Sequence, residues 1–148
     1  MNISYFTIPP ALVLALFGRL YSGILGPGKK LFDRNNPRGF PETIKNAELD
    51  EVTRGRLLRA EACSANGFEV LPLFAAAVTA GNSAGVSAFT MNVLSLAWLA
   101  SRVLYIFVYI WYQETEKLVP GQAPLRFKIW SVGAMMCMSM FVLAGLKS

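Results

Sequence analysis

The segment RAEACSANGFEVLPLF places polar side chains in an otherwise apolar stretch of the chain. At about 100° per residue, Arg59, Asn66 and Glu69 fall on one side of a helix and form a polar stripe. An ionisable group inside a membrane costs about 2.5–3.5 kcal/mol, so such residues are paired or line a cavity. The stripe therefore predicts a contact between helices or the wall of a binding site.

A second stripe, in the segment SRVLYIFVYIWY, contains Arg102, Tyr105 and Tyr109. From the rise of ~1.5 Å per residue, Glu69 and Arg102 lie at similar depths, about 15–18 Å from the same membrane surface. We predict that Glu69 and Arg102 form an ion pair at the floor of a cleft. The alternative is that the pair only joins two helices, and Asn66 could bridge helices in the same way.

Further basic residues, Lys29, Lys30 and Arg126, lie near the predicted mouth of this cleft. Tyrosines at a membrane boundary often form only an aromatic belt, and that explanation suffices for Trp111 and Tyr112. The two tyrosines of the second stripe lie deeper and in line with an arginine. The cleft is thus basic and lined by tyrosines, and we expect its ligand to be anionic.

The chain contains no histidine and two cysteines, Cys63 and Cys137. Zinc or haem sites built on imidazole are therefore excluded, as are Ser-His-Asp and Cys-His nucleophiles, and no metal site is predicted. Both cysteines lie in apolar segments, where packing is the simplest interpretation. A nucleophile, if the protein uses one, must come from a bound molecule.

The elements that position these residues are predicted to be membrane-spanning helices. Hydrophobic residues make up 54% of the 148 residues, and the mean hydropathy is +0.43. Four stretches match the roughly 20 apolar residues that a crossing requires: 7–25, 57–80, 86–112 and 125–146. We expect an all-α fold, an integral membrane four-helix bundle, as one domain over residues 1–148.

The basic residues predict the orientation of this bundle. Seven follow the first span and three lie before or at the start of the fourth, whereas the opposite side has only Lys147. Both termini should therefore face away from the cytosol. The net charge of +5 is explained by this orientation and by an anionic small molecule, so no nucleic-acid partner is predicted. Arg19 lies deep in the first span, where it either braces the bundle or contacts the ligand.

The combination of motifs resembles the MAPEG family, the membrane-associated proteins in eicosanoid and glutathione metabolism. The resemblance rests on an Asn-x-x-Glu-x-x-Pro step that begins at Asn66 and an Arg-x-x-Tyr-x-x-x-Tyr pattern that begins at Arg102. The segment APLRFKIW around Arg126 supports it, so that the similarity covers roughly residues 54–130. The sequence RLY at 19–21 and the Lys29-Lys30 pair add weaker support.

The resemblance implies a left-handed four-helix bundle that assembles as a homotrimer, with glutathione bound at each subunit interface. It implies that Arg126 holds and activates the glutathione sulfur. It also implies that Lys29 and Lys30 of the adjacent subunit complete the site. The whole predicted set of glutathione-binding residues is Arg59, Asn66, Glu69, Arg102, Tyr105, Tyr109, Lys29 and Lys30.

One departure refines this implication. In the animal leukotriene and prostaglandin synthases an arginine stands four residues before the asparagine, where this chain has Ala62; Arg59 stands seven before it, as in the bacterial-like branch. A general glutathione transferase, or a glutathione peroxidase, acting on lipophilic molecules from the bilayer is therefore predicted, in the endoplasmic reticulum or another intracellular membrane if the protein is eukaryotic. The alternatives are a non-catalytic protein that binds and presents lipid and a small four-span exporter.

Overall fold

The computed structural model describes residues 1–117 and 119–147, and its regular elements are helical. The first span combines a 3-10 turn, helix α1 (Ile8–Arg19) and a π-helical turn (Leu20–Ile24). A short helix α2 (Phe40–Asn46) precedes the three long ones. These are α3 (Glu51–Ser83), α4 (Ala88–Ile110) and α5 (Leu125–Lys147).

Four segments are long and apolar enough to cross a membrane: Ser4–Ile24, Glu51–Ser83, Ala88–Glu114 and Leu125–Lys147. The predicted all-α, four-helix membrane architecture is confirmed. Helix α3 begins at Glu51, before the predicted residue 57, because Asp50 caps it: the Asp50 carboxylate accepts a hydrogen bond from the backbone N–H of Thr53. Its polar first turns extend the helix beyond the apolar stretch.

Helix α3 is the central element, since it contacts α1, α4 and α5. Glycine allows its closest approach to α1: a Cβ added to Gly18 would overlap the backbone of Ala60, and one added to Gly67 would lie 2.8 Å from the Cα of Ala15. The hydroxyl of Ser64 donates a hydrogen bond of 2.6 Å to the carbonyl of Ala15. The two helices therefore pack backbone against backbone, as small residues permit inside membranes.

One apolar core fills the half of the bundle near the termini, and a second buried cluster, which includes Cys63, Ile106 and Ile129, lies in the other half. The rings of Phe74 and Trp98 stack with their centroids 3.8 Å apart, and the buried side chains of Met91, Cys137 and Met140 surround them. Both cysteines of the chain are free and buried, as expected for packing residues. This core holds α3, α4 and α5 together on the side of the predicted polar residues that is nearer the termini.

A set of amides fastens the beginning of the chain to the bundle. Asn92 of α4 accepts a hydrogen bond of 2.8 Å from the backbone N–H of Ile3 and donates one of 3.0 Å to the carbonyl of Met1. Asn82 of α3 donates a hydrogen bond of 2.9 Å to the hydroxyl of Ser4. The first span is thereby fixed at the same level as the ends of α3 and α4.

Candidate functional site

A cavity of about 500 Å³ lies at the end of the bundle away from the termini. Helices α3 and α4 and the start of α5 surround it. Four residues that the sequence singled out line it, together with an apolar remainder: Asn66, Tyr105, Tyr109 and Arg126, with Ala123, Pro124, Phe127 and Trp130. The structure thus brings the four predicted residues together around one space, although Asn66 and Arg126 are 60 positions apart in the sequence.

Arg126, in the first turn of α5, carries the positive charge of this cavity. Its guanidinium carbon lies 4.4 Å from the centroid of the Tyr109 ring, within the range of a cation–π contact. The Tyr105 ring is 5.5 Å from that of Tyr109 and extends the aromatic wall inward. No carboxylate in the described part of the chain pairs with Arg126, so its charge is available to an anionic ligand.

Asn66 supplies a hydrogen-bond acceptor that the protein itself does not satisfy. Its Oδ1 atom is buried and has no partner among the described residues. An unsatisfied buried polar atom costs about 1–3 kcal/mol, which favours a bound donor. Asn66 and Tyr105 also border a second, narrow space of about 20 Å³ next to Cys63 and Arg102, on the side toward the middle of the bundle.

The predicted ion pair between Glu69 and Arg102 is wrong. Arg102 is only 5% exposed and lies between the rings of Trp98 and Tyr105, with its guanidinium carbon 5.3 and 5.0 Å from their centroids. It points toward α5, where Nη2 donates a hydrogen bond of 3.5 Å to the carbonyl of Ile129. The Glu69 side chain is exposed on the outer surface of α3 and has no partner within the described chain.

The acid that is buried instead is Glu61, which the sequence analysis did not single out. It is 4% exposed, and its carboxylate accepts hydrogen bonds from Nε and Nη2 of Arg19 and from the hydroxyl of Ser22. Arg19 therefore braces α1 against α3, which answers a question that the residues alone left open. The sequence did contain a sign of this ion pair. The first span and α3 each carry an ionisable residue deep in an apolar stretch, and such residues pair inside membranes.

Arg59 is not part of the cavity wall in this chain. Its Nη2 donates to the carboxylate of Glu114 at 2.8 Å and its Nε to the carbonyl of Ile110 at 3.1 Å. Arg56 also binds Glu114, at 3.1 Å, so two arginines of α3 hold the end of α4. Lys29 and Lys30 are exposed in the loop after the first span and do not line this cavity.

The fold and the cavity define a class of protein: a four-span integral membrane protein with an arginine and tyrosines around a space inside its helix bundle. More narrowly, the chain belongs to the MAPEG family, whose family model matches residues 5–146. This family includes glutathione transferases and non-catalytic members. The resemblance is confirmed at the level of the family, and the bacterial-like branch stays a prediction. No curated protein and no solved structure matches the chain.

Proposed function

We propose that the protein is a membrane-bound glutathione transferase that joins the glutathione thiolate to lipophilic electrophiles, in the endoplasmic reticulum or another intracellular membrane if the protein is eukaryotic. The observation that carries the proposal is the unpaired guanidinium of Arg126 over the Tyr109 ring, at a cavity of about 500 Å³. That volume is within the range of small-molecule sites, about 300–1,000 Å³. Membership of a family that includes such transferases supports it.

The residues fit the chemistry of a thiol. A free thiol with a pKa near 8.5 is only about 3% thiolate at pH 7, and a guanidinium that lowered the pKa by about two units would raise that fraction roughly twentyfold. Part of this gain is lost because nucleophilicity falls with pKa. The thiol proton leaves to solvent, the thiolate sulfur bonds to the electrophilic carbon, and the leaving group departs with its electron pair. Arg126 stays charged throughout and does not compete for the proton.

Assembly as a homotrimer through α3 is part of the proposal. Seven exposed residues of α3 recur at alternating spacings of three and four and are mostly small, with the exposed Phe68 beside them: Ala62, Ala65, Glu69, Pro72, Ala76, Thr79 and Ser83. Such a period aligns one side of a helix along a partner, and small residues are enriched where membrane helices meet. An exposed carboxylate at Glu69 would be costly in lipid, whereas a wet interface between subunits would accommodate it.

Arg126→Ala tests the role of the guanidinium. In the wild type, titration with glutathione should produce the ultraviolet absorbance of a bound thiolate, and the variant should lose it while the oligomer remains intact. We expect kcat/KM for an electrophilic aryl halide to fall by about a hundredfold to a thousandfold, the range for removing a group that stabilises developing charge. Lys128→Ala removes an exposed charge two positions away and should change neither. Unchanged thiolate absorbance in Arg126→Ala would contradict the proposal.

One observation favours the alternative of a non-catalytic, lipid-binding protein. A cleft of about 590 Å³ between α1 and α4 is lined by apolar residues such as Pro10, Val13 and Leu99, and it could hold an acyl chain. The same cleft would serve a transferase as a route for lipophilic substrates. Turnover of glutathione with an aryl halide separates the two functions, because only the transferase consumes the thiol.

A further inference from the structure

The loop after the first span carries four basic side chains that the protein does not neutralise. They are exposed and have no ion-pair or hydrogen-bond partner among the described residues; we call them the basic loop cluster: Lys29, Lys30, Arg34 and Arg38. The only acid between them is Asp33, whose carboxylate accepts a hydrogen bond of 2.8 Å from the backbone N–H of Asn35. By contrast, the nearby Lys45 is paired with Glu42 at 3.3 Å.

Aromatic packing keeps this cluster at the level where the first span ends. The rings of Phe32 and Phe40 lie 5.0 Å apart, and both pack against Gly23, in the last turn of the span Ser4–Ile24. Gly28 in turn lies against Phe40 and Leu57. Each member of the basic loop cluster is one or two positions from Gly28, Phe32 or Phe40, so its Cα lies within about 7 Å of an anchored residue.

Three of the five acidic residues of the same connection lie farther from the membrane, while Asp33 lies within the cluster and Glu42 is paired with Lys45. Glu48, Asp50 and Glu51 lie before or at the start of α3. Leu57, which contacts Gly28, comes six positions after Glu51, and this corresponds to about 9 Å along the helix. Basic side chains thus predominate at the end of the first span, and these three acidic side chains lie beyond them.

The connection is also held in one arrangement. Phe40, Ile44 and Leu57 form a small, fully buried core. Arg54 donates hydrogen bonds from Nη2 to the carbonyls of Ala47 and Leu49, at 3.1 and 3.0 Å. The backbone that carries the basic side chains is therefore already ordered, so that binding a ligand would cost little conformational entropy.

We propose that the basic loop cluster binds the phosphate-bearing headgroups of anionic phospholipids in the adjacent leaflet. Clusters of four or more basic residues immediately beside a membrane span attract such lipids, and these lipids are enriched in the cytoplasmic leaflet. The guanidinium groups of Arg34 and Arg38 can each donate two parallel hydrogen bonds to two oxygens of one phosphate. The cluster shares Lys29 and Lys30 with the predicted glutathione site, so the test changes only Arg34 and Arg38, which that site does not include.

The test uses the full protein reconstituted in phosphatidylcholine membranes with spin-labelled phosphatidylserine or spin-labelled phosphatidylcholine. The fraction of immobilised label gives the relative association constant of the two lipids. The wild type should prefer phosphatidylserine, and R34Q/R38Q should lower that preference by about threefold or more, since both charges lie near the surface. The charge-retaining variant R34K/R38K should preserve most of the preference. Lys45→Gln, which removes a cation already paired with Glu42, should leave it unchanged.

A titration with salt needs no variant and so remains decisive if R34Q/R38Q does not fold. The preference of the wild type should fall between 50 and 500 mM salt, because the screening length shrinks from about 14 Å to about 4 Å. Equal association of the two lipids, a preference that salt does not change, or an unchanged preference in R34Q/R38Q would overturn the proposal. Saturable binding of soluble glycerol phosphate without any lipid preference would assign the cluster to a free phosphate ligand and would also overturn it.

Discussion

Glu61 and Arg19 carry opposite charges deep in the first two spans, and the structure joins them directly. Glu61 is 4% exposed and Arg19 is 29% exposed, so the carboxylate depends more on its partner than the guanidinium does. Removing one member of a buried pair costs about 3–5 kcal/mol, because it leaves an uncompensated charge. The hydroxyl of Ser22 supports the same carboxylate but cannot neutralise it.

We therefore expect Arg19→Met to lower the free energy of unfolding by about 3 kcal/mol or more. The double variant R19M/E61L should recover most of that loss, since it removes both charges and keeps the volume. Denaturation in mixed detergent micelles measures both effects. Additive losses in the double-mutant cycle would show that the two residues act independently.

The candidate site shows how far residue patterns can predict contacts. Asn66, Tyr105, Tyr109 and Arg126 meet because a helical repeat fixes which residues share a stripe, and two of the helices are joined by a short turn. The repeat does not fix how far each helix is rotated about its own axis against its neighbours. Arg102 therefore points to α5 and not to Glu69.

Helix α3 determines the arrangement of the bundle because the other three spans pack on it. Its contact with α1 depends on the absence of a side chain at Gly18, where a Cβ would overlap the carbonyl of Ala60 and lie 3.0 Å from the backbone nitrogen of Ser64. Neither neighbour is the end of a flexible side chain, so the helices themselves would have to separate. Overpacking of this kind costs about 1–3 kcal/mol.

Gly18→Ala should accordingly destabilise the protein by about 1–3 kcal/mol, and thermal unfolding in detergent measures it. Gly145→Ala is the matched control, because a Cβ there meets nothing within 4 Å. The control should be neutral or slightly stabilising, since alanine favours a helix over glycine by about 1 kcal/mol. Equal effects of the two substitutions would contradict the close approach of α1 and α3.

The start of α3 predicts a dependence on pH. Hydrogen bonds from the backbone and the side chain of Thr53 hold the pKa of the Asp50 carboxyl below its ordinary value. A pKa that is lower in the folded protein means that the unfolded chain binds the proton more tightly. The stabilisation is therefore complete above about pH 4 and is lost as the pH falls through the folded-state pKa.

Asp50→Asn keeps a capping oxygen but does not titrate, so it isolates this effect. The difference in melting temperature between wild type and Asp50→Asn should be constant from pH 7 to about pH 5 and should shift against the wild type below about pH 4. A difference that stays constant to pH 3 would show that the carboxylate charge contributes nothing to the cap.

The elements themselves could be predicted from apolar runs, and the ends of the helices could not. The run that begins at Leu57 ignores the polar turns that Asp50 and Thr53 add to α3. Likewise, the residue types of the π-helical turn at Leu20–Ile24 do not distinguish it from an ordinary α-helix. The ends of the helices and the π-helical turn depend on particular hydrogen bonds, and these bonds cannot be predicted from hydropathy.

The proposed trimer rests on a row of small exposed residues along one side of α3. This row could not be recognised from the sequence, because alanine, threonine and serine occur on lipid-facing, core and interface surfaces alike. Only the exposure of each side chain separates the stripe from the rest of the helix.

Ala76→Cys places a thiol in the middle of that stripe, and mild oxidation should cross-link two of the three subunits of each trimer. Val103→Cys, on the exposed side of α4, should give little cross-linked product under the same conditions. The native cysteines are buried and should not contribute. Electrophoresis without reductant measures the product, and equal cross-linking at both positions would contradict an interface on α3.

The amides that fasten the beginning of the chain have a consequence for biosynthesis. Asn92, which holds Ile3 and Met1, leaves the ribosome long after the residues that it anchors. While the nascent chain is inserted, the first span can dock on α3 through Arg19 and Glu61 near one end and through Ser4 and Asn82 near the other. Met1 and Ile3, however, gain their contacts with Asn92 only after α4 has entered the bilayer, so these residues are secured later than the span that they precede.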